Sequence, residues 1–256
     1  MKKVFFISTG RTATNFLASF FENNFSNVTA IHMPAPSRHL RVLSNLYLCD
    51  KLTKESLMKQ YVWSRKRLFD KIDTEYYVES NNYLHGFSDA LATLYPDAII
   101  FHIVRDPRTY IESQINFGVF KGIKGLLTNY FPYWYIKPHT YKKFGEIKWH
   151  DMTDIEKVAW RWKIINHELS EFGNRFDNYH LVRFEDIFAN DNEGLKYIIK
   201  TIGLEYSDDL MKKRASTKTN ISTDKEVEHW SKWDEKELDS MYEICNPLFS
   251  KYNYDK

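Results

Sequence analysis

Near the start of the chain, the stretch KKVFFISTGRTATNFLASFF dictates a local fold. Val4, Phe5, Phe6 and Ile7 form a continuous apolar run of the kind a buried parallel strand needs, and Phe16, Leu17, Phe20 and Phe21 recur at helical spacing. Between them lie Ser8, Thr9, Gly10, Arg11, Thr12, Ala13, Thr14 and Asn15. The predicted unit is strand, polar loop, helix. The first-turn N–H groups of a helix have no internal partners and sit at the positive end of its dipole, so hydroxyls and an arginine there suit a phosphate or sulfate. The loop is not G-x-x-x-x-G-K-[ST]: no lysine follows, and Ala13 stands where another glycine is expected, which disfavours a plain ATPase or GTPase. A capped helix after an edge strand, with no ligand, is the plain alternative.

The same alternation continues. Strands are predicted at Val28 to Ile31, Tyr76 to Glu79, Ala98 to Val104 and Tyr179 to Val182. Helical character covers Ser37 to Lys71, Phe87 to Leu94, a segment opened by Pro107, Asp154 to Phe172, Glu193 to Ile202 and Asp234 to Tyr252. This is an α/β chain with a central parallel sheet of about five strands flanked by helices. With 256 residues and 43% hydrophobic content it is compatible with a single domain over 1–256 carrying a helical insertion at 117–150. Ligands of such sheets gather at the carboxyl ends of the strands, a rule that places the Gly10 loop, His32, Glu79 and Arg105 on one rim.

A formal charge of +2 gives no polyelectrolyte character, so nucleic acid is not an expected partner and anion binding must come from local clusters. Cys49 and Cys245 lie far apart without metal-ligand spacing. The first strand begins almost at Met1 and no apolar stretch is long enough to span a bilayer, so the expectation is a soluble, cytoplasmic protein.

The second motif is IVRDPRTYIES. Arg105 leaves a buried strand, Pro107 opens a helix, and Ser113 lies on that helix. A guanidinium fork and a nearby hydroxyl make a compact phosphate clamp. In the plain alternative Arg105 pairs with Asp106; Arg108 reads as an ordinary helix charge.

Together, GRTATN and VRDPRTYIES resemble the two signatures of sulfotransferases that use 3'-phosphoadenosine 5'-phosphosulfate (PAPS). The resemblance implies a P-loop NTPase-like sulfotransferase architecture and a donor site. Gly10, Arg11, Thr12, Ala13, Thr14 and Asn15 would hold the 5'-phosphosulfate, and Arg105 and Ser113 the 3'-phosphate. Lys218, with Asn220, would approach from a late segment that closes over the donor. The co-product would be 3',5'-adenosine bisphosphate (PAP), with no metal required. The pattern is nearer to bacterial and carbohydrate-type members, which implies a glycan or small-molecule hydroxyl acceptor, a carbohydrate or glycoconjugate in first place. It departs from Arg-Ser-Gly-Thr-Thr at Thr12, Ala13 and Asn15; alanine accepts right-handed helical angles, which would leave the loop intact.

Sulfuryl transfer needs in-line placement, charge stabilisation and a base. Arg11, with Thr12 and Thr14, is the candidate for charge stabilisation. His32 and Glu79 are the candidate bases, His32 preferred because an imidazole titrates near pH 6.5, and His85 is a third. The stretch from Phe117 to His150 is dense in aromatics interleaved with lysines, and reads as an acceptor wall with possible peripheral membrane contact or as an insertion with core aromatics. Trp160 and Trp162 point to different faces of a helix, at least one of them core. Two other functions fit the same motifs: a non-catalytic PAP- or PAPS-binding protein, and a kinase, which would need a Mg²⁺-binding carboxylate and a loop lysine.

Overall fold

A computed structural model describes the chain except Glu146, Asn190, residues 216–227 and Lys256, with backbone alone over residues 212–215. Five strands, β1 (Lys2–Ser8), β2 (Val28–His32), β3 (Tyr76–Ser80), β4 (Ile99–Val104) and β5 (Tyr179–Arg183), pair in the order β2-β3-β1-β4-β5. Every pairing is parallel, as the apolar runs predict. Side chains alternate across the pleat. Phe5, Ile7, Tyr77 and Ile100 enter one core, while Val4, Phe6, Val78 and Phe101 enter the other. Both faces of β1 are therefore covered, which is why its sequence does not alternate in polarity.

The helices follow from local signals. Helix α1 (Thr14–Asn24) packs its Leu17, Phe20 and Phe21 on the Val4–Phe6 face. The helical stretch read over 37–71 divides into α2 (Arg38–Leu48) and α3 (Lys54–Phe69), because Asp50 adopts φ 57° and the Thr53 hydroxyl caps a fresh start. Next come α4 (Ser88–Leu94), α5 (Pro107–Asn116) and α6 (Gly122–Tyr130). A capping box of Thr153 and Glu156 starts α7 (Asp154–Gly173). The chain ends in α8 (Phe184–Ile187), α9 (Glu193–Ile202), α10 (Asp208–Ala215), α11 (Glu235–Cys245) and α12 (Leu248–Lys251). Pro247, which has no N–H to donate, separates the last two, so the single helix read over 234–252 is corrected to a broken one.

Two connections leave the centre in opposite directions. From β1 the chain passes through α1 to β2 at one edge, whereas from β4 it passes to β5 at the other. The crevice between the carboxyl ends of β1 and β4 is the topological switch point. The Gly10 loop and the Arg105 turn both emerge there.

The 117–150 stretch divides its aromatics. Tyr135, Tyr141 and Trp149 are buried in the core, whereas Ile123, Leu126, Tyr130 and Phe131 are exposed. No helix among the described residues is long and apolar enough to cross a membrane.

Candidate active site

The loop between β1 and α1 is built around left-handed backbone. Gly10, Arg11 and Ala13 have φ of 86°, 56° and 61°. Gly10 is needed, because a Cβ there would come within 3.0 Å of the Asn82 side chain. At Ala13 the sequence expectation is corrected: the residue is left-handed (ψ 18°), not right-handed helical, a conformation that costs an L-residue roughly 1–2 kcal/mol. Ala13 is the N-cap of α1 and supplies no side-chain bond to the first turn, whose N–H groups point toward the loop. The Thr12 hydroxyl turns inward and donates to Ser8 Oγ at 2.6 Å, and Ser8 Oγ also accepts from Gly10 N–H at 3.1 Å. Thr12 thus shapes the loop, while Arg11 provides its charge.

The two motifs meet. Arg11 Nε donates to Ser113 Oγ at 2.9 Å, and Arg105 donates to the Arg11 carbonyl at 2.8 Å. Arg105 also donates to Thr109 Oγ1 at 3.0 Å and lies 4.5 Å over the Phe184 ring. Burial lowers the pKa of both guanidiniums, with Glu185 opposing the shift at Arg105. Asp106 is occupied by Arg108 at 2.6 Å and caps α5 through the Arg108 N–H, so Arg108 is structural and the Arg105–Asp106 pairing does not form. Trp162, fully buried like Trp160, donates to the Arg105 carbonyl at 2.8 Å and fixes that turn.

The candidate bases separate. His32 lines the same cavity as the loop, and its Nδ1 lies 3.1 Å from the Ser80 carbonyl. Only a protonated Nδ1 can bond a carbonyl, so the neutral ring keeps its lone pair on Nε2. Burial lowers its pKa below 6.5, partly offset by the Ser80 bond. Glu79 is corrected from candidate base to framework. It is fully buried and outside the cavity wall; Oε1 accepts from Arg65 at 2.6 Å and Asn81 at 2.8 Å, and Oε2 from Arg65 and Tyr61 at 2.9 Å and Tyr77 at 2.8 Å. No lone pair remains for an acceptor hydroxyl. His85 is buried with both nitrogens engaged, by Asn82 and Asn45, and burial pushes its pKa down to about 3.

A cavity of about 800 Å³ joins these groups. Gly10 through Asn15, His32 and Arg105 line it; Ser113 stands behind Arg11, and Lys218 lies outside the described residues. Sequence reasoning missed Arg41 and Arg161 as wall residues. Arg161 donates to the Thr9 carbonyl at 2.8 Å and to the Tyr110 hydroxyl at 3.0 Å, so α7 holds the root of the loop. An arginine flanked by two tryptophans in a helix is the signal that something buried must meet it. Trp134 and Phe117 bring the aromatic stretch into the wall.

A sulfotransferase family model matches residues 23–208, which begins after the loop and includes the Arg105 motif. No curated protein sequence matches the chain. Among solved structures, it is similar to sulfotransferase STF9 from Mycobacterium avium, with 9% identity, coverage of 99% of this chain and 77% of that one, and a TM-score of 0.60. A sulfotransferase from Alicyclobacillus acidocaldarius aligns over 100% and 97% of the two chains with 13% identity and a TM-score of 0.56. Mouse sulfotransferase SULT7A1, complexed with PAP, aligns over 97% and 85% with 14% identity and a TM-score of 0.57. At these identities the structural likeness is one of fold.

Proposed function

The chain belongs to the sulfotransferase family, and on that premise we propose that it transfers a sulfonate group from PAPS to a hydroxyl of a carbohydrate or glycoconjugate. The observation that carries the reading is the contact of Arg11 with Ser113 and of Arg105 with the Arg11 carbonyl, which brings two distant motifs together at one helix start. The residues fit this donor. The cavity wall contains Arg11, Arg38, Arg41, Arg105, Arg161 and Lys124 and, among its described residues, neither aspartate nor glutamate. A Mg²⁺-dependent phosphoryl transfer would call for a carboxylate there.

PAPS, when bound, supplies the activated sulfonate and leaves as PAP. Arg11 and the first-turn N–H groups of α1 stabilise the negative charge on the transferring and leaving oxygens, a role in which one preorganised donor is worth about a hundredfold or more in rate. Arg105 and Ser113 hold the 3'-phosphate and so select this donor over ATP. His32 Nε2 accepts the proton of the acceptor hydroxyl as its oxygen attacks sulfur. Lowered below 6.5, the His32 pKa leaves the imidazole neutral at pH 7, the form this step requires. The aromatic wall of Trp134, Tyr135 and Phe117 supplies faces on which a sugar ring stacks.

The test is transfer of labelled sulfonate from PAPS to a panel of glycans, with PAP release followed in parallel. The reading predicts acceptor-dependent label transfer with stoichiometric PAP. Tight PAPS binding with no transfer to any member would favour the non-catalytic alternative.

A further inference from the structure

Arg41 is a charged group of the cavity whose chemistry the donor reading leaves unused. It stands on α2, the helix into which the chain runs after His32, and it lines the cavity with His32 and Arg38. Its guanidinium lies 4.6 Å over the Trp134 ring and 5.8 Å from the Tyr83 ring. Its Nε is shielded from water and has no hydrogen-bond partner. Burial and the nearby charge of Arg161 lower its pKa to about 10, opposed by Tyr83, to which the side chain also hydrogen-bonds, and by Tyr135. A half-buried guanidinium with a shielded Nε, near the charge of Arg161 and with no carboxylate among the described residues of the wall, carries a desolvation cost that an anion would relieve. The Trp134 ring beneath the guanidinium limits the orientations of its planar fork, which suits bidentate binding of a carboxylate, sulfate or phosphate. Arg161 is anchored to the framework, its NH1 held by the Thr9 carbonyl and the Tyr110 hydroxyl. The donor groups do not claim Arg41: Arg11 and Arg105 close toward α5, with Ser113 and Thr109.

We propose that Arg41, seated on Trp134 and supported by Arg38, is an anion-binding site on the acceptor side of the cavity, so that the acceptor carries a negatively charged group in addition to the hydroxyl that receives sulfonate. The proposal rests on the PAPS reading, since it assigns Arg11 and Arg105 to the donor.

The test uses benzoate, with benzamide as its uncharged counterpart, titrated into the full-length protein saturated with PAP. The readout is the Nε–H resonance of Arg41 in nitrogen-15 NMR, assigned by its loss in Arg41→Gln. Benzoate is expected to shift this resonance and to bind at least tenfold more tightly than benzamide, with the preference abolished in Arg41→Gln and reduced in Arg41→Lys, which keeps charge but lacks the fork. An equal response to the two probes in the wild-type protein overturns the site, and that arm needs no variant. A benzoate preference that survives in Arg41→Gln does so as well. Failure of the wild-type protein to bind PAP would instead strike the donor reading, and the two failures are told apart by the PAP titration.

Discussion

Arg65 is withdrawn from water entirely and Arg41 in part, and the molecule treats them in opposite ways. Arg65, on α3, meets Glu79 at 2.6 Å with both side chains fully buried. Glu79 is shared with Tyr61, Tyr77 and Asn81, and Ser37 Oγ accepts from Arg65 at 3.2 Å. Although burial alone would lower the Arg65 pKa, the hydrogen bonds and charge of Glu79 raise it above its ordinary value. In the cavity the balance runs the other way: Arg41, Arg105 and Arg11 all have lowered pKa values, with burial the largest cause. Buried charge answered by the protein is architecture. Buried charge left for a ligand to answer is recognition.

The largest effect expected from this contrast is on stability. Glu79→Ala leaves Arg65 buried without a partner and is expected to cost about 3–5 kcal/mol in urea unfolding, the range for breaking one side of a buried pair. A loss comparable to an exposed substitution would place Glu79 outside the framework. His32→Gln, by contrast, should leave the unfolding midpoint near that of the wild type while lowering the transfer rate about a hundredfold to ten-thousandfold. The sign of its pH dependence follows from the lowered pKa. Neutral His32 is the working form, so kcat/KM reaches its plateau on the alkaline side and declines as pH falls through a pKa that burial holds below the ordinary imidazole value. An acid limb centred above 6.5 would point to another base.

Arg105→Ala removes a charged donor from the recognition half and is expected to weaken PAP binding about ten- to a hundredfold, the equivalent of 1.5–3 kcal/mol, with little change in unfolding. If the variant instead unfolds easily and binds PAP normally, the assignment of the two regions is reversed. The smallest effect is at Ala13. Glycine relieves its left-handed strain but enlarges the unfolded ensemble, so Ala13→Gly should raise stability by about 1 kcal/mol or less in thermal unfolding. A clear destabilisation would mean that the methyl group is making contacts worth more than the strain.

The sheet was legible because each buried strand is a local apolar run, and the Gly10 loop because its residues are consecutive. Glu79 misled for a reason of register. It pairs alongside Ile31, one residue short of the His32–Ser80 pair, and with a period of two that difference sends it to the face of Phe5 and Tyr77. His32 shares its parity with Val28 and Ala30, on the opposite face. The strand end is readable from the sequence; the face depends on the register between strands. Arg41, Trp134 and Arg161 stayed hidden because they come from α2, the stretch after α6, and α7, and no local pattern announces that three such elements line one cavity. Ala13 misled because identity alone does not give φ.

The central claim, that Arg105 and Ser113 complete with the Gly10 loop a site for an adenosine 3'-phosphate 5'-phosphosulfate, is tested most directly by calorimetric titration with PAP, AMP and ATP. The account predicts strong preference for PAP, lost on Arg105→Ala or Ser113→Ala. Equal binding of the three nucleotides, or no binding of PAP, would contradict it.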